Sequence, residues 1–308
     1  MRLIKKIIEY LKYQKFFFAN LKATENKILY AVKSDSLKTC SLSSNKQGVS
    51  SSKYFDYDII VSLTTYGKRL YEVSTTIESI MQGTLLPNKI VLNISSDYLG
   101  QELPFLLKRQ VERGLEINYC KDIRSYTKLI PTLRKYPDSA IITIDDDLIY
   151  GIDFLENLVN THKANPNFVC ANRIHEIVLG ENGIPLPYRK WNWCANPQGP
   201  SPLNFLTGVG GVLYPPKCFD REVFNEDVFL DICKFADDIW FFAMLLKNDI
   251  YTIKSFTHNK YGEDYIINDV AQEVALGKLN NHGNNLNNIQ FKAVFEKYNL
   301  FEKLMRNG

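Results

Sequence analysis

The chain has 308 residues, enough for one large domain or two small ones with a sizeable core. With 45% hydrophobic and 23% charged residues, it has the composition of an ordinary soluble globular protein. Its net charge of +3 is uneven: residues 1–35 hold eight Lys or Arg against three Asp or Glu and the remainder is slightly acidic, which excludes the body as a nucleic-acid binder by charge.

Within residues 1–35, Leu3, Ile4, Ile7, Ile8 and Leu11 recur at helical spacing, and Lys5, Lys6, Glu9 and Lys12 fill the other face. The run is too short and too charged to span a bilayer. A basic amphipathic helix of this kind suits an anionic membrane surface. It suits equally a place on its own domain or on a second subunit. Residues 36–53, rich in Ser with Lys, Asn and Gly, read as a linker, and the main domain is expected over 54–308. The six cysteines form no C-x-x-C pair and no cleavable signal peptide is recognised, so the expected compartment is the reducing cytosol.

Asp58–Leu63 reads as a first strand, followed by the polar loop Thr64–Arg69 and a helical stripe of Leu70, Val73, Ile77, Ile80 and Met81. A strand at Lys89–Ile94, a helix around 102–113 and a strand at Leu115–Tyr119 continue the alternation. Such alternation predicts an α/β fold with a mainly parallel central sheet flanked by helices. After the third strand come Asp122, Arg124 and Lys128, polar residues at a strand exit, with a helix over Leu129–Tyr136 behind them. Cations there suit phosphate oxygens, or are ordinary surface charge.

The run Ile141-Ile142-Thr143-Ile144 ends in Asp145-Asp146-Asp147. Side chains alternate along an extended chain, so Asp145 and Asp147 are expected on one side and Asp146 on the other. Two carboxylates on one side repel unless something positive sits between them or a proton is taken up. All-oxygen ligation suits Mg²⁺ or Mn²⁺. Ligands of open α/β sheets bind beyond the carboxyl ends of the strands, where these acids fall. A capping role is better filled by Asp153, with Glu156 three residues on.

A helix over 153–163 and a strand over Phe168–Arg173 follow. Residues 180–202 are irregular and include Trp191 and Trp193, which share a face if extended; they suit either stacking on a sugar or a hairpin packed over the core. Thr207-Gly208-Val209-Gly210-Gly211 is neither a Walker loop nor G-x-G-x-x-G, and its glycines allow close approach of a ligand, or a bulged strand. Asp237 and Asp238 open an amphipathic helix, as dipole partners or as carboxylates aimed into a site. His282 lies in an Asn-rich stretch, and residues 289–305 read as a closing helix.

In order, a strand with a Thr-Thr-Tyr loop, the triple acid, Thr-Gly-x-Gly-Gly and an Asp-Asp-x-Trp helix resemble the GT-A (Rossmann-like) class of nucleotide-sugar glycosyltransferases over about residues 57–285. The likeness is nearest to bacterial enzymes of surface-polysaccharide assembly and more distant to exostosin-type transferases. The resemblance implies that Thr64, Thr65, Tyr66 and Arg69 hold the nucleoside and diphosphate, with Asp122 and Lys128 flanking the nucleotide. It implies that Asp145 and Asp147 are the D-x-D acids, meeting the ribose and a Mn²⁺ or Mg²⁺, with Asp146 between them at the nucleotide; apart from the resemblance, His282 suits an extra metal ligand, a phosphate partner or a surface residue. Gly210 and Gly211 would border the donor sugar, and Asp237 or Asp238 would stand beside the reacting carbon, as a base if the enzyme inverts. The implied partners are a nucleotide-sugar donor, most readily a UDP-sugar, and a glycan or lipid-linked acceptor; the basic N-terminus points to an acceptor at the cytoplasmic face of a membrane. A metal-dependent phosphohydrolase, a nucleotidyltransferase and a non-catalytic carbohydrate-binding protein are the rival readings. Leu148 after the second acid, a loop with only Gly67, and the otherwise idle acids at 145–147 and 237–238 count against each in turn.

Overall fold

The computed structural model describes residues 2–259, 261–268 and 285–305. In chain order, α1 (Arg2–Ser43) precedes β1 (Ile59–Thr64), α2 (Val73–Met81), β2 (Lys89–Ser95), α3 (Phe105–Val111), β3 (Leu115–Cys120), α4 (Ile130–Lys135) and β4 (Ala140–Thr143). There follow β5 (Leu148–Tyr150), α5 (Phe154–Ala164), β6 (Val169–Ala171), β7 (Ile174–Glu176), β8 (Asn192–Ala195), β9 (Asn204–Leu206) and β10 (Val212–Tyr214). The remainder is α6 (Glu226–Ile232), α7 (Asp237–Lys247), β11 (Thr252–Lys254), β12 (Tyr265–Ile267) and α8 (Leu286–Lys297).

The central sheet has seven strands in the order β11-β6-β10-β4-β1-β2-β3. β10 is antiparallel to both neighbours, and every other pairing is parallel. This is the expected α/β class with a mainly parallel sheet and flanking helices. Both faces of β1 are covered. Ile60 packs with Ile130, Phe241 and Phe295 on one face, while Ile59, Val61 and Leu63 pack with Ile77 and Leu158 on the other. Two covered faces explain why β1 reads as a continuous apolar run rather than an alternating one. Each such Ile or Leu contributes roughly 1.5–3 kcal/mol on burial.

The chain leaves β1 toward β2 and β3 and returns on the other side to β4. The sheet therefore has its switch point between β1 and β4, where a crevice opens beyond the strand ends. Beneath it lies a buried polar layer. Asn93 Nδ2 donates to Ser62 Oγ at 3.1 Å and to Thr132 Oγ1 at 2.9 Å, and Ser62 Oγ donates to the Lys128 carbonyl at 2.7 Å. These bonds pin the 3-10 turn Arg124–Lys128 onto the sheet.

Three local expectations are corrected. Helix α1 runs eight residues into the stretch read as a linker, and residues after it are tied down: Gly48 N–H donates to the Arg113 carbonyl and Ser50 N–H to that of Pro87. Small hydroxyl side chains, which lower the apolar content, let α1 approach α2 closely; Ser34 is buried with its Oγ 3.4 Å from Thr75 Oγ1. The closing helix is shorter than expected, breaking at Asn299 (φ +54°) before a 3-10 turn at Phe301–Met305. Asp153 stands at the start of α5 without capping it by its side chain; its carboxylate bonds His258 and Asn157 instead.

Candidate active site

A cleft of about 690 Å³ opens at the switch point. Its floor is formed by the exits of β1 to β4, and its rim by the entry to β10 and the start of α7. Thr64, Thr65, Tyr66, Arg69, Asp122, Lys128, Asp145, Asp146, Asp147, Asp237 and Asp238 all line it. Tertiary structure thus gathers residues spread over more than 170 positions of sequence.

The triple acid does not continue the strand. β4 ends at Thr143 and the backbone turns at Asp146 and Asp147, so the strict alternation expected of an extended chain is lost. Asp146 and Asp147 both meet Arg69, at 2.8 Å and 3.4 Å. Asp146 is almost fully engaged. One oxygen accepts from Arg69, the other accepts from Thr65 Oγ1 at 2.6 Å, and its carbonyl accepts from Thr76 Oγ1. Asp146 is therefore the tie between the β1 loop and the β4 exit. Arg69, expected to hold diphosphate, neutralises this tie. Burial pulls its pKa down, but Asp146 and Asp147 outweigh that and hold the guanidinium charged. Asp147 is pushed up to about 7, first by burial and then by Asp145 and Asp146.

Lys128 lies between the two acidic motifs. Its Nζ is 3.0 Å from Asp237 and 3.4 Å from Asp145. Burial opposes its charge, but Asp145, Asp237 and Asp238 more than compensate and hold its pKa well above normal. Asp237 is thus occupied by an ion pair. Asp238 differs. Its Oδ2 accepts from the Gly208 N–H at 3.0 Å, while Oδ1 has no hydrogen-bond partner. Burial first, and the Asp237 charge second, push Asp238 up to about 7, against the pull of Lys128.

Gly208 leaves a space at this point. A Cβ there would come within 2.6 Å of Lys128 Nζ and 2.9 Å of Asp238 Oδ1. Gly210 and Gly211, expected beside the donor sugar, do not line the cleft; Gly208 and Val209 do. Gly210 and Gly211 each have φ +95°, and a Cβ on Gly211 would strike the Phe154 ring at 2.5 Å, so these two glycines serve the turn into β10 and the packing beneath it. The tryptophans separate as well. Trp191 is buried against Phe205 and Phe291, whereas Trp193 is 43% exposed at the cleft.

Sequence reading missed Arg173, His175 and Tyr188, which also line the cleft. The available signal was spacing: Arg173 and His175 are two apart at a strand entry, facing the side opposite Ile174.

The carboxylates Asp122, Asp145, Asp146, Asp147, Asp237, Asp238 and Glu263 outnumber the cations Arg69, Arg124, Lys128 and Arg173 around the cleft. Among the described residues, no three His, Cys, Asp or Glu side chains close on one metal position. His282 lies outside the described residues. A small hard cation fits what remains, because Mg²⁺-type sites commonly use one or two carboxylates and take their other ligands from substrate phosphates and water. Burial first, and the Asp145 and Asp146 charges after it, raise the Asp147 pKa, and a cation bound beside these carboxylates would relieve the second of these causes.

The sheet order, the switch-point crevice and the flanking helices define a Rossmann-like α/β fold with a mainly parallel sheet. Among solved structures, the fold is similar to that of a mannosyltransferase from Pyrobaculum calidifontis in complex with GDP-Man and Mn²⁺, at 14% identity and a TM-score of 0.43, over 75% of this chain and 62% of that one. This chain thus spans under two thirds of the mannosyltransferase. A CMP:2-keto-3-deoxy-manno-octonic acid synthetase complexed with CTP is also similar, at 12% identity and a TM-score of 0.38, over 64% of this chain and 88% of that one. No protein family and no curated protein matches the sequence.

Proposed function

We propose that the chain is a metal-dependent glycosyltransferase that moves a sugar from a nucleotide-sugar donor, a UDP-sugar by preference, to a glycan or lipid-linked acceptor. The observation that carries this reading is the single Lys128 ammonium that joins Asp145 to Asp237 within one cleft. In this reading Tyr66, exposed at the β1 exit, takes the nucleoside, with Thr64, Thr65 and Asp122 beside it. Asp145 and Asp147 hold Mn²⁺ or Mg²⁺, which supplies charge neutralisation to the diphosphate. Lys128 stabilises the charge that develops on the leaving diphosphate. Asp238, with a free carboxylate oxygen and a pKa near 7, takes the proton of the acceptor hydroxyl.

The setting we assign is surface-polysaccharide assembly at the cytoplasmic face of a membrane. The sequence resemblance and α1 support it. Phe16, Phe17, Phe18 and Leu21 are exposed on α1 among Lys12, Lys15 and Lys22. No helix among the described residues is long and apolar enough to cross a membrane, so the contact proposed is with the surface.

The test is nucleotide release from a panel of UDP-, GDP- and CMP-sugars, with Mn²⁺ or with EDTA, for the parent chain and Asp147→Ala. Release from one donor that needs the metal and is lost in the variant supports the reading and names the donor. Release of inorganic phosphate from simple phosphoesters, with every nucleotide-sugar left intact, overturns it.

A further inference from the structure

The end of the cleft built by the β6–β7 turn and β8 has a chemistry of its own. Arg69 and Lys128 each have two carboxylate partners. Arg173, on the same cleft, has none within ion-pair distance among the described residues. Its Nε has no hydrogen-bond partner, and its Nη1 lies 3.5 Å from the Tyr265 hydroxyl. His175 adds a second unmatched donor. Its Nδ1 accepts from the Cys194 N–H at 3.1 Å, which puts the ring proton on Nε2, and Nε2 has no partner. Burial, and then the Arg173 charge, hold the His175 pKa down at about 3, so the ring is neutral. Trp193 stacks on that ring at 4.7 Å and 25°, and its indole N–H donates to the Tyr188 carbonyl. The indole is thereby fixed with part of its surface exposed to the cleft.

A half-buried guanidinium whose buried Nε has no acceptor and a buried imidazole donor without one are costly, and they persist where a ligand supplies the missing acceptor. An exposed, fixed indole is a platform for a sugar ring. The place is also tied to the reacting centre. The Thr207 N–H donates to the Arg173 carbonyl, and the next residue's N–H donates to Asp238.

We propose that this end of the cleft is the acceptor subsite and that it takes a sugar carrying a carboxylate or a phosphate, with the ring on Trp193 and the anionic group on Arg173. Naming that sugar the acceptor rests on the glycosyltransferase reading; its binding does not. The surplus of carboxylates at the Asp145–Asp147 end repels such a sugar, so charge orients it in the same sense as the Trp193 platform.

The experiment is direct binding, read by quenching of Trp193 emission. The other two tryptophans, Trp191 and Trp240, are buried. The probes are glucuronic acid, glucose 1-phosphate and glucose, added to the parent chain, Arg173→Ala, Arg173→Lys and Trp193→Phe, each first checked for folding by circular dichroism. The expected result is at least tenfold tighter binding of one anionic probe than of glucose. The preference is lost in Arg173→Ala and partly kept in Arg173→Lys, and the signal is lost in Trp193→Phe. The uronic acid and the phosphate arms tell which anion is preferred. Equal binding of all three probes, or an unchanged preference in Arg173→Ala, overturns the proposal. So does a loss of UDP, GDP or CDP affinity in Arg173→Ala without loss of sugar binding, which would assign Arg173 to the nucleotide. Anionic-sugar binding that persists in a chain turning over no nucleotide-sugar would refute the transferase reading and leave the subsite standing.

Discussion

Lys128 Nζ stands 3.0 Å from Asp237 Oδ2, and this one ion pair locks the start of α7 to the turn after β3. The same ammonium reaches Asp145 at 3.4 Å, so the position of the triple acid and that of the α7 acids are set by a shared cation. Removing it leaves two carboxylates facing each other across the cleft. Lys128→Met is therefore expected to lower the rate of nucleotide release by about 100-fold or more, the scale of losing a preorganised electrostatic contact. Lys128→Arg is expected to recover part of the loss. Single-turnover release with a fixed donor measures both, and a parent-like rate in Lys128→Met would remove Lys128 from the mechanism.

Asp238 predicts a pH dependence. Its pKa of about 7 means that the free carboxylate, the form able to accept a proton, grows in as pH rises through 7. Turnover should climb between pH 6 and 8 in step with it, and Asp238→Asn should lower turnover about 10²–10⁴-fold and flatten that limb. The sign for stability is the reverse. Between the ordinary carboxylate range and 7, the folded chain holds a proton that the unfolded chain has released. This group's contribution is therefore present at low pH and is lost as pH rises through 7. Urea unfolding of the parent and of Asp238→Asn at pH 6 and pH 8 checks this: the variant should gain stability relative to the parent at the higher pH.

Arg113 and Glu78 form a buried pair at 2.8 Å, with side chains 2% and 0% exposed. Glu78 also accepts from Gln82 and Gln110, and Arg113 Nε donates to the Lys46 carbonyl, so the pair fastens α2, α3 and the segment after α1 together. Truncating either partner leaves the other charge buried. Glu78→Ala and Arg113→Ala should each cost about 3–5 kcal/mol, and the double variant should cost less than their sum. Chemical denaturation of the three chains tests this, and a double variant as costly as the sum would mean that the two side chains act independently.

The two halves of helix α1 differ in what they touch. Its later half touches the cleft from behind. Asn26 donates to the Ile267 carbonyl, and the Asn268 N–H donates to the carbonyl of Asp147. Deleting residues 2–22 should leave thermal stability and nucleotide release unchanged while removing affinity for anionic vesicles. Deleting residues 2–43 should also destabilise the domain, by roughly 2–4 kcal/mol from lost burial and hydrogen bonds, and should lower release through Asp147. Vesicle co-sedimentation and melting curves on both deletions separate the halves; unchanged vesicle binding after the shorter deletion would reject the membrane contact.

Strands β1, β2, β3, β4 and β6 and most of the helices were legible in the sequence because apolar periodicity is a local property, whereas β5 and β7 to β12 are too short to show a period. Ile59–Leu63 and Ile141–Thr143 are read correctly without knowledge of anything they touch. The acids at 145–147 and 237–238 were legible too, since runs of carboxylates after apolar segments stand out and strand exits are where an α/β sheet binds. What the sequence could not carry was which charge answers which. Arg69 is spent on Asp146, Lys128 on Asp237, and Arg173 on neither, and these pairings depend on distances across the cleft between residues up to 109 positions apart. Gly208 rather than Gly210 and Gly211 faces the cleft because the turn into β10 fixes which backbone position is exposed. The Ser-rich stretch became a packed helix end for the same reason. Composition reports what a segment buries by itself, and only the fold decides what is brought against it.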